Sequence, residues 1–249
     1  MKSIKIFLSI AALCIAVSSF AQQKGPSFIG INGGISLPLG NWGKSATIVS
    51  INGTVNDPNG YANKGGIGML DGAWFFSKHF GVGGLLSYGT YNLKNVNALS
   101  QGYQESFDVD TTRTTPTNYK VLNLLPGLYF NYPVLKKLSV TARALVGITY
   151  ATTPQISVSI EDGGVFDPPI VQESDSKTAF AFDVGAGLSY AIKKCLAVNL
   201  KADYFYTEPD FTIDNTKRNN NAGREITTYN QPLSAINISL GVAFLFCRK

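Results

Sequence analysis

Apolar and polar residues alternate along much of the chain, and the alternation recurs in eight separate segments. In the clearest segment, Leu138 to Tyr150, every second residue is apolar, and Ser, Thr, Arg, Leu and Gly lie between. A period of two places alternate side chains on opposite faces of a β-strand, whereas a helix needs a period near 3.6. The pattern recurs over 178–192, 196–206 and 236–246, and more weakly over 27–37, 66–76, 80–93 and 119–132. We therefore predict eight strands, with Pro126 marking a bulge or a gap in the pairing of one of them.

The connections between these segments alternate in length. Residues 77–79, 133–137 and 193–195 form short turns, and 38–65, 94–118, 151–177 and 207–235 form long polar stretches. An antiparallel meander with this rhythm has a short-turn end and a long-loop end, which in bacterial outer-membrane barrels are periplasmic and extracellular. The fold class we predict is all-β, an eight-stranded antiparallel up-and-down transmembrane β-barrel.

The chemistry of the two strand faces decides between a membrane barrel and a soluble one. A secreted soluble barrel would bury its apolar face and expose the polar one. Faces rich in Gly, Ala and Ser suit a narrow lumen, and faces of Leu, Val, Ile, Phe and Tyr suit lipid. Aromatic residues also gather near the strand ends, as expected at two membrane interfaces. They are Trp74, Phe76, Tyr132, Tyr190, Phe244 and Phe246 near the short turns, and Tyr88, Tyr150, Tyr204 and Tyr206 near the long loops. This distribution favours the membrane barrel.

The first 21 residues have the pattern of a secretory signal peptide. Lys2 and Lys5 precede an apolar run over 6–17, and Ser19-Phe20-Ala21 forms a small-x-small cleavage site. We predict a cleaved signal peptide at 1–21, a barrel domain at 22–249, and export to the outer membrane of a Gram-negative cell.

Two segments carry a family resemblance. The stretches GGIGMLDGAWFFSKHFGVGGLLSYG and LPGLYFNYPVLKKLSVTARALVG resemble the outer-membrane β-barrel domain of Bacteroidetes porin-family proteins, which is related in fold to the OmpA transmembrane domain and OmpX. The resemblance covers essentially the whole mature chain. Because its motifs are patterns of glycine and aromatic residues, what it implies is the fold and an outer-membrane location.

Five charged residues are predicted to face the lumen near mid-barrel: Asp71, Arg143, Asp183, Lys201 and Asp203. Isolated charges in a narrow lumen are costly, so these acids and bases are expected to pair as a salt-bridged plug. The alternative is a gated ion path that opens when partners exchange. A wide aqueous pore is not expected, because such channels need about 16 or more strands.

Two cysteines remain after the signal peptide, and they are a candidate disulfide pair, with two free thiols as the alternative. Cys195 precedes the seventh strand and Cys247 follows the eighth, both with lumen-facing parity. A symmetric hairpin would place them opposite each other, in a compartment that favours oxidation.

Little in the sequence indicates catalysis. The one histidine, His79, lies in a short turn and is predicted to be solvated there. Barrels that transfer or remove lipid A acyl chains need a His and a Ser at the opposite end. We therefore predict no enzymatic activity, no cofactor and no metal. The net charge of +5, spread along the chain, gives no indication of nucleic-acid binding.

The long loops are the remaining place for a function. We predict a monomer with a structural or surface-interaction role. The barrel would be surrounded by outer-membrane lipid and lipopolysaccharide. Its loops would contact the lipopolysaccharide and either an extracellular ligand or an envelope protein. Two alternatives stay open: a narrow ion-conducting channel, and an accessory to protein secretion or surface assembly.

Overall fold

Strands dominate the computed structural model, which describes residues 25–45, 59–162, 165–215 and 225–246. In chain order the elements are β1 (Phe28–Leu39), α1 (Gly40–Gly43), β2 (Ala62–Phe75), β3 (Phe80–Leu93), α2 (Val96–Phe107), β4 (Thr111–Pro116), β5 (Tyr119–Pro133), β6 (Leu138–Thr152), β7 (Ile156–Asp162), β8 (Val165–Gln172), β9 (Ser176–Lys193), β10 (Leu196–Thr207), β11 (Asp210–Asn215), β12 (Glu225–Asn230) and β13 (Leu233–Leu245). Within these ranges, no helix has the length and apolar character needed to cross a membrane. The predicted signal peptide, 1–21, lies outside the described residues.

Eight of the strands close into a barrel, in the order β1-β13-β10-β9-β6-β5-β3-β2. Every neighbouring pair is antiparallel, and β1 pairs with both β2 and β13. The pairing of β1 with β13 runs from Phe28 opposite Leu245 to Leu39 opposite Ser234, so the first and last strands join without a free edge. The predicted eight-stranded antiparallel barrel is confirmed.

The two faces of the barrel wall differ as the alternation predicts. Large apolar side chains such as Ile31, Val184 and Leu240 are exposed on the outside. The residues between them in the sequence point inward and are buried, many of them polar, as at Asn199 and Ser239. An outer face this apolar is stable only against lipid.

Proline interrupts one ladder of the wall. In the β5–β6 pairing, Leu124 lies opposite Ile148 and Gly127 opposite Leu145, and the two residues between Leu124 and Gly127 have no partner on β6. Pro126 still lies opposite Gly84 on the other neighbour, β3. A proline has no N–H to donate, so the predicted gap falls on one side of this strand only.

The long loops are more ordered than the sequence indicates. Three of them, over 94–118, 151–177 and 207–235, supply a second, five-stranded sheet in the order β12-β11-β8-β7-β4. The helix α2 packs on β4, where the hydroxyl of Ser100 donates to the carbonyl oxygen of Thr112 at 2.7 Å. Val109, Val158 and Ile160 form a small core of their own beneath it. The sequence predicts these stretches only as long polar loops, because strands as short and Thr-rich as TTRTTP show too little apolar alternation.

We expect a charge on the lipid-facing wall to destabilise the barrel in proportion to its depth. Val184 lies halfway along β9 and Val134 lies in a short turn, and both side chains are about half exposed. Val184→Arg should lower the free energy of unfolding in lipid vesicles by about 2–4 kcal/mol, and Val134→Arg by about 0–1 kcal/mol. Equilibrium denaturant titrations would measure both changes. Equal effects would contradict a membrane-embedded outer face.

Candidate functional site

The middle of the lumen holds a buried ion cluster built around the Arg143 side chain. Its Nε lies 3.1 Å from Oδ1 of Asp183, its Nη2 lies 2.9 Å from Oδ2 of Asp203, and its Nη1 lies 3.5 Å from Oδ2 of Asp71. The three carboxylates come from β9, β10 and β2, and the arginine from β6. One guanidinium therefore links four strands across the barrel, using donors that point in different directions.

A second cation completes the cluster. The Nζ of Lys201 forms a hydrogen-bonded ion pair with Oδ2 of Asp71. The other oxygen of the same carboxylate accepts a hydrogen bond of 2.8 Å from Nδ2 of Asn32. The lysine ammonium also lies 5.5 Å from the centre of the Phe28 ring. All five residues predicted to form a lumen network are thus brought together, and Asn32 and Phe28, which the sequence did not single out, join them.

Glycines in β9 make room for these charges. Gly185 lies opposite Arg143 on one side and Asp203 on the other, and Gly187 lies between Lys201 and Thr141 in the same way. A Cβ atom at Gly185 would overlap the Asp203 carboxylate, and one at Gly187 would lie 2.9 Å from Cγ of Lys201. The arginine reaches across β9 to an acid on the next strand because nothing projects from β9 between them.

The lumen toward the long loops is filled by an apolar core. Its centre is Trp42 of α1, which is fully buried. The indole lies 4.5 Å from the Tyr91 ring and 6.0 Å from the Tyr119 ring, measured between ring centres. A Cβ atom at Gly60 would lie 2.6 Å from the indole, so the chain passes close over it. Around these rings lie Phe205, Phe211, Leu233 and Val121, all buried.

This apolar core is a difference from the prediction of a lumen lined by small and charged residues. The sequence did contain a signal for it. Trp42 is one of two tryptophans and stands in a polar loop between glycines, GNWG. An aromatic residue at such a position rarely stays in water, because burying it is worth more than the other contacts that a loop offers.

Toward the short turns the lumen is open. A cavity of about 470 Å³ extends from the short-turn end up to the ion cluster, where Arg143, Lys201 and Asp203 line its inner end. Lys78, Lys136 and Lys137 line it near the turns. We call this space the vestibule.

His79 lies in the short turn between β2 and β3, where the sequence places it, but it is only partly exposed to solvent. The side chain is half-buried, its ring stacks on that of Tyr132 at 5.4 Å, and Nδ1 lies 2.9 Å from the carbonyl oxygen of Asn131. The imidazole is thus part of the aromatic belt at this end of the barrel wall.

The predicted disulfide falls partly outside the described residues, because Cys247 is not among them. The pairing of β10 with β13 differs from the symmetric hairpin that would place the two cysteines opposite each other. The N–H of Leu245 donates to the carbonyl oxygen of Cys195 at 2.9 Å, so Cys195 lies opposite residue 245. Cys195 is disulfide-bonded, and its pairing with Cys247 stays a prediction.

A closed barrel with an apolar outer face and a lumen filled by charges and aromatic rings defines an integral membrane β-barrel. The family model for the outer membrane protein beta-barrel domain matches residues 7–246. The chain belongs to this family, and it is a protein of the cell outer membrane. Among the described residues, no group of three or more His, Cys, Asp or Glu side chains is arranged to hold a metal ion.

Solved structures with a similar fold include three outer-membrane proteins. OprG from Pseudomonas aeruginosa is 14% identical, with a TM-score of 0.49, over 91% of this chain and 98% of that one. The attachment invasion locus protein Ail of Yersinia pestis is 12% identical, with a TM-score of 0.43, over 90% and 100%. The outer membrane protease OmpT from Escherichia coli is 9% identical, with a TM-score of 0.44, over 91% and 98%. No curated protein matches the chain.

Removing the central cation should be far more costly than removing a surface one. Arg143→Met leaves three buried carboxylates with one cation, so we expect a loss of about 3–5 kcal/mol in the free energy of unfolding. Lys177→Met removes the partly exposed partner of Asp175, 3.3 Å away, and should cost about 0–1 kcal/mol. Denaturant titrations in vesicles measure both. Similar losses would mean that the cluster does not stabilise the barrel.

The glycines beside the charges give a second test. Gly185→Ala places a methyl group against the Asp203 carboxylate and should destabilise the barrel by about 1–3 kcal/mol. Gly68→Ala is the matched control, since a Cβ there meets nothing within 4 Å and should change stability by less than about 1 kcal/mol. The midpoint of the heat-induced gel-mobility shift reports both. An unchanged midpoint for Gly185→Ala would show that the arginine does not reach across this strand.

Proposed function

We propose that this protein is a non-catalytic outer-membrane barrel whose role is structural or surface-interacting and is carried by the folded loops outside the bilayer. The observation that carries the proposal is the double closure of the lumen. Solutes crossing the barrel would have to displace the ion cluster around Arg143 and then the packed rings around Trp42. A barrel closed at two levels is suited to holding its loops at the surface.

The extracellular sheet supports the same proposal. Its strands pair with regular register, as where Thr111 to Pro116 lie opposite Glu161 to Ile156. On these two paired strands, Thr112 and Thr114 are buried beside the small core, and Arg113 and Ser159 are exposed on the opposite side. A folded sheet with one buried face and one exposed polar face is a preformed surface, which lowers the entropy cost of binding.

The partners that we propose are the lipopolysaccharide around the barrel and an extracellular ligand or envelope protein. Exposed hydroxyl and charged groups on the sheet, such as those of Thr111, Arg113 and Ser159, suit hydrogen bonding to sugars and to charged groups. We propose in addition that the chain is a monomer, that residues 1–21 are a signal peptide removed on export, and that it belongs to the Bacteroidetes porin-family branch of its family.

Trimming the extracellular sheet tests the surface role. Replacing residues 154–174 by a short Gly-Ser linker removes β7 and β8 and leaves the barrel strands intact. We expect binding of purified lipopolysaccharide, and adhesion of cells displaying the protein, to fall at least fivefold at an unchanged amount of folded barrel. Val134→Arg, at the opposite end, serves as a control and should leave both unchanged. Full binding and adhesion by the trimmed variant would exclude this role.

A narrow ion channel is the second candidate, and the open vestibule is the observation that favours it. This water-accessible space already extends from one end to Arg143 and Lys201. Planar-bilayer recording distinguishes the two functions. We expect no discrete current steps from the wild-type protein. Reproducible openings that disappear in Arg143→Ala would instead show conduction through the lumen.

A further inference from the structure

The vestibule has the size and the lining of a binding site for a small polar ligand. A volume of about 470 Å³ lies within the range of ligand pockets, about 300–1,000 Å³. Its wall carries amide and hydroxyl side chains from neighbouring strands, among them Asn131 on β5 and Ser139 and Thr141 on β6. The side chains of Asn131 and Asn199 are more than nine-tenths buried, yet both line this space.

The mouth of the vestibule is positively charged. Lys78 comes from the first short turn, and Lys136 and Lys137 come from the second. All three are exposed, and none takes part in an ion pair found among the described residues. The acid that lines the cavity, Asp203, lies at the inner end and is paired with Arg143. The potential at the mouth is therefore attractive to anions.

The inner end differs from the mouth. Arg143 and Lys201 are already surrounded by three carboxylates, so they leave no positive charge to spare for a ligand. An anionic group is thus stabilised near the lysines, and an uncharged hydroxylated part is suited to the amides and hydroxyls above them. The ligand therefore carries its anionic group at the mouth and its hydroxyl groups toward the inner end.

Three lysines around one opening favour phosphate over carboxylate. An ammonium group acts as a compact point charge, and several of them can surround the oxygens of a phosphate. A planar carboxylate is matched best by the forked donors of arginine. Among the described residues at the mouth, the cations are lysines.

We propose that the vestibule binds the phosphate ester of a small polyol from the periplasmic side. The phosphate contacts Lys78, Lys136 and Lys137, and the hydroxyl groups hydrogen-bond to Asn131, Ser139 and Thr141. Two sources present this chemistry at that place: a soluble ester in the periplasm, and the glycerophosphate headgroup of a phospholipid in the adjacent leaflet. The site is at the opposite end from the extracellular sheet, so it stands independently of the surface role.

Binding of sn-glycerol 3-phosphate to the full-length mature protein in a zwitterionic detergent tests the proposal by calorimetry. We expect saturable binding that glycerol does not compete for. Lys78→Gln should weaken it at least fivefold. The matched control is Lys193→Gln, which removes an exposed lysine at the same end that does not line the vestibule, and it should change binding by less than twofold. Ser139→Phe fills the cavity without changing charge and should abolish binding.

Nanodiscs distinguish the two sources. Protein in phosphatidylcholine nanodiscs still binds the soluble ester if that is the ligand. If the headgroup is the ligand, phosphatidylglycerol in the disc occupies the vestibule and blocks binding of the soluble ester. Lys78→Gln does not restore binding of the ester in those discs. If Lys78→Gln and Lys193→Gln weaken binding equally, the lysines attract anions only diffusely and the proposal is overturned. Absence of saturable binding in both detergent and nanodiscs would overturn it as well. Gel-mobility shifts on heating verify that each variant is folded.

Discussion

The constraint on which the rest of this structure depends is that no backbone N–H or C=O group can stay unpaired in lipid. A sheet satisfies it only by closing, and here β1 closes the barrel by pairing with β13 along its full length. With eight strands the enclosed space is narrow and must be filled by side chains. The alternation of the sequence follows, since every second side chain faces lipid and the others pack against each other in the lumen. Pro126, which cannot pair on one side, is tolerated where a single ladder is interrupted.

The narrow lumen in turn explains why its contents are arranged in layers. Charges can be buried there only if they pair, and Arg143 pairs with acids from three other strands. Pairing across a strand needs space above that strand, which Gly185 provides. Above this layer the rings around Trp42 exclude water, and below it the vestibule admits water. The ion cluster therefore lies at the boundary between a dry half of the lumen and a wet half.

Much of this could be predicted from the sequence because parity alone decides which side chains share the lumen. The five charged residues were predicted together on that basis, and the strand limits agree within a few residues. Parity cannot predict which separated segments of the chain come together, however. The position of Trp42 depends on how a loop folds back, and the five-stranded sheet depends on pairing between loops far apart in sequence. The register beside Cys195 depends on one hairpin, where a shift of two residues keeps the same face and leaves no trace in the alternation.

The two ends of the barrel are subject to different physical demands, and this separates their roles. At the long-loop end, the lumen is sealed by Trp42, and the loops above it have a core of their own around Val158 and Ile160. Residues exposed on that sheet can therefore change without disturbing the packing inside the barrel. At the short-turn end the described residues form no such independent layer, because the lysines of the turns line the mouth of the cavity below Arg143. A change there alters the electrostatics of the lumen itself, so this end is the more constrained of the two.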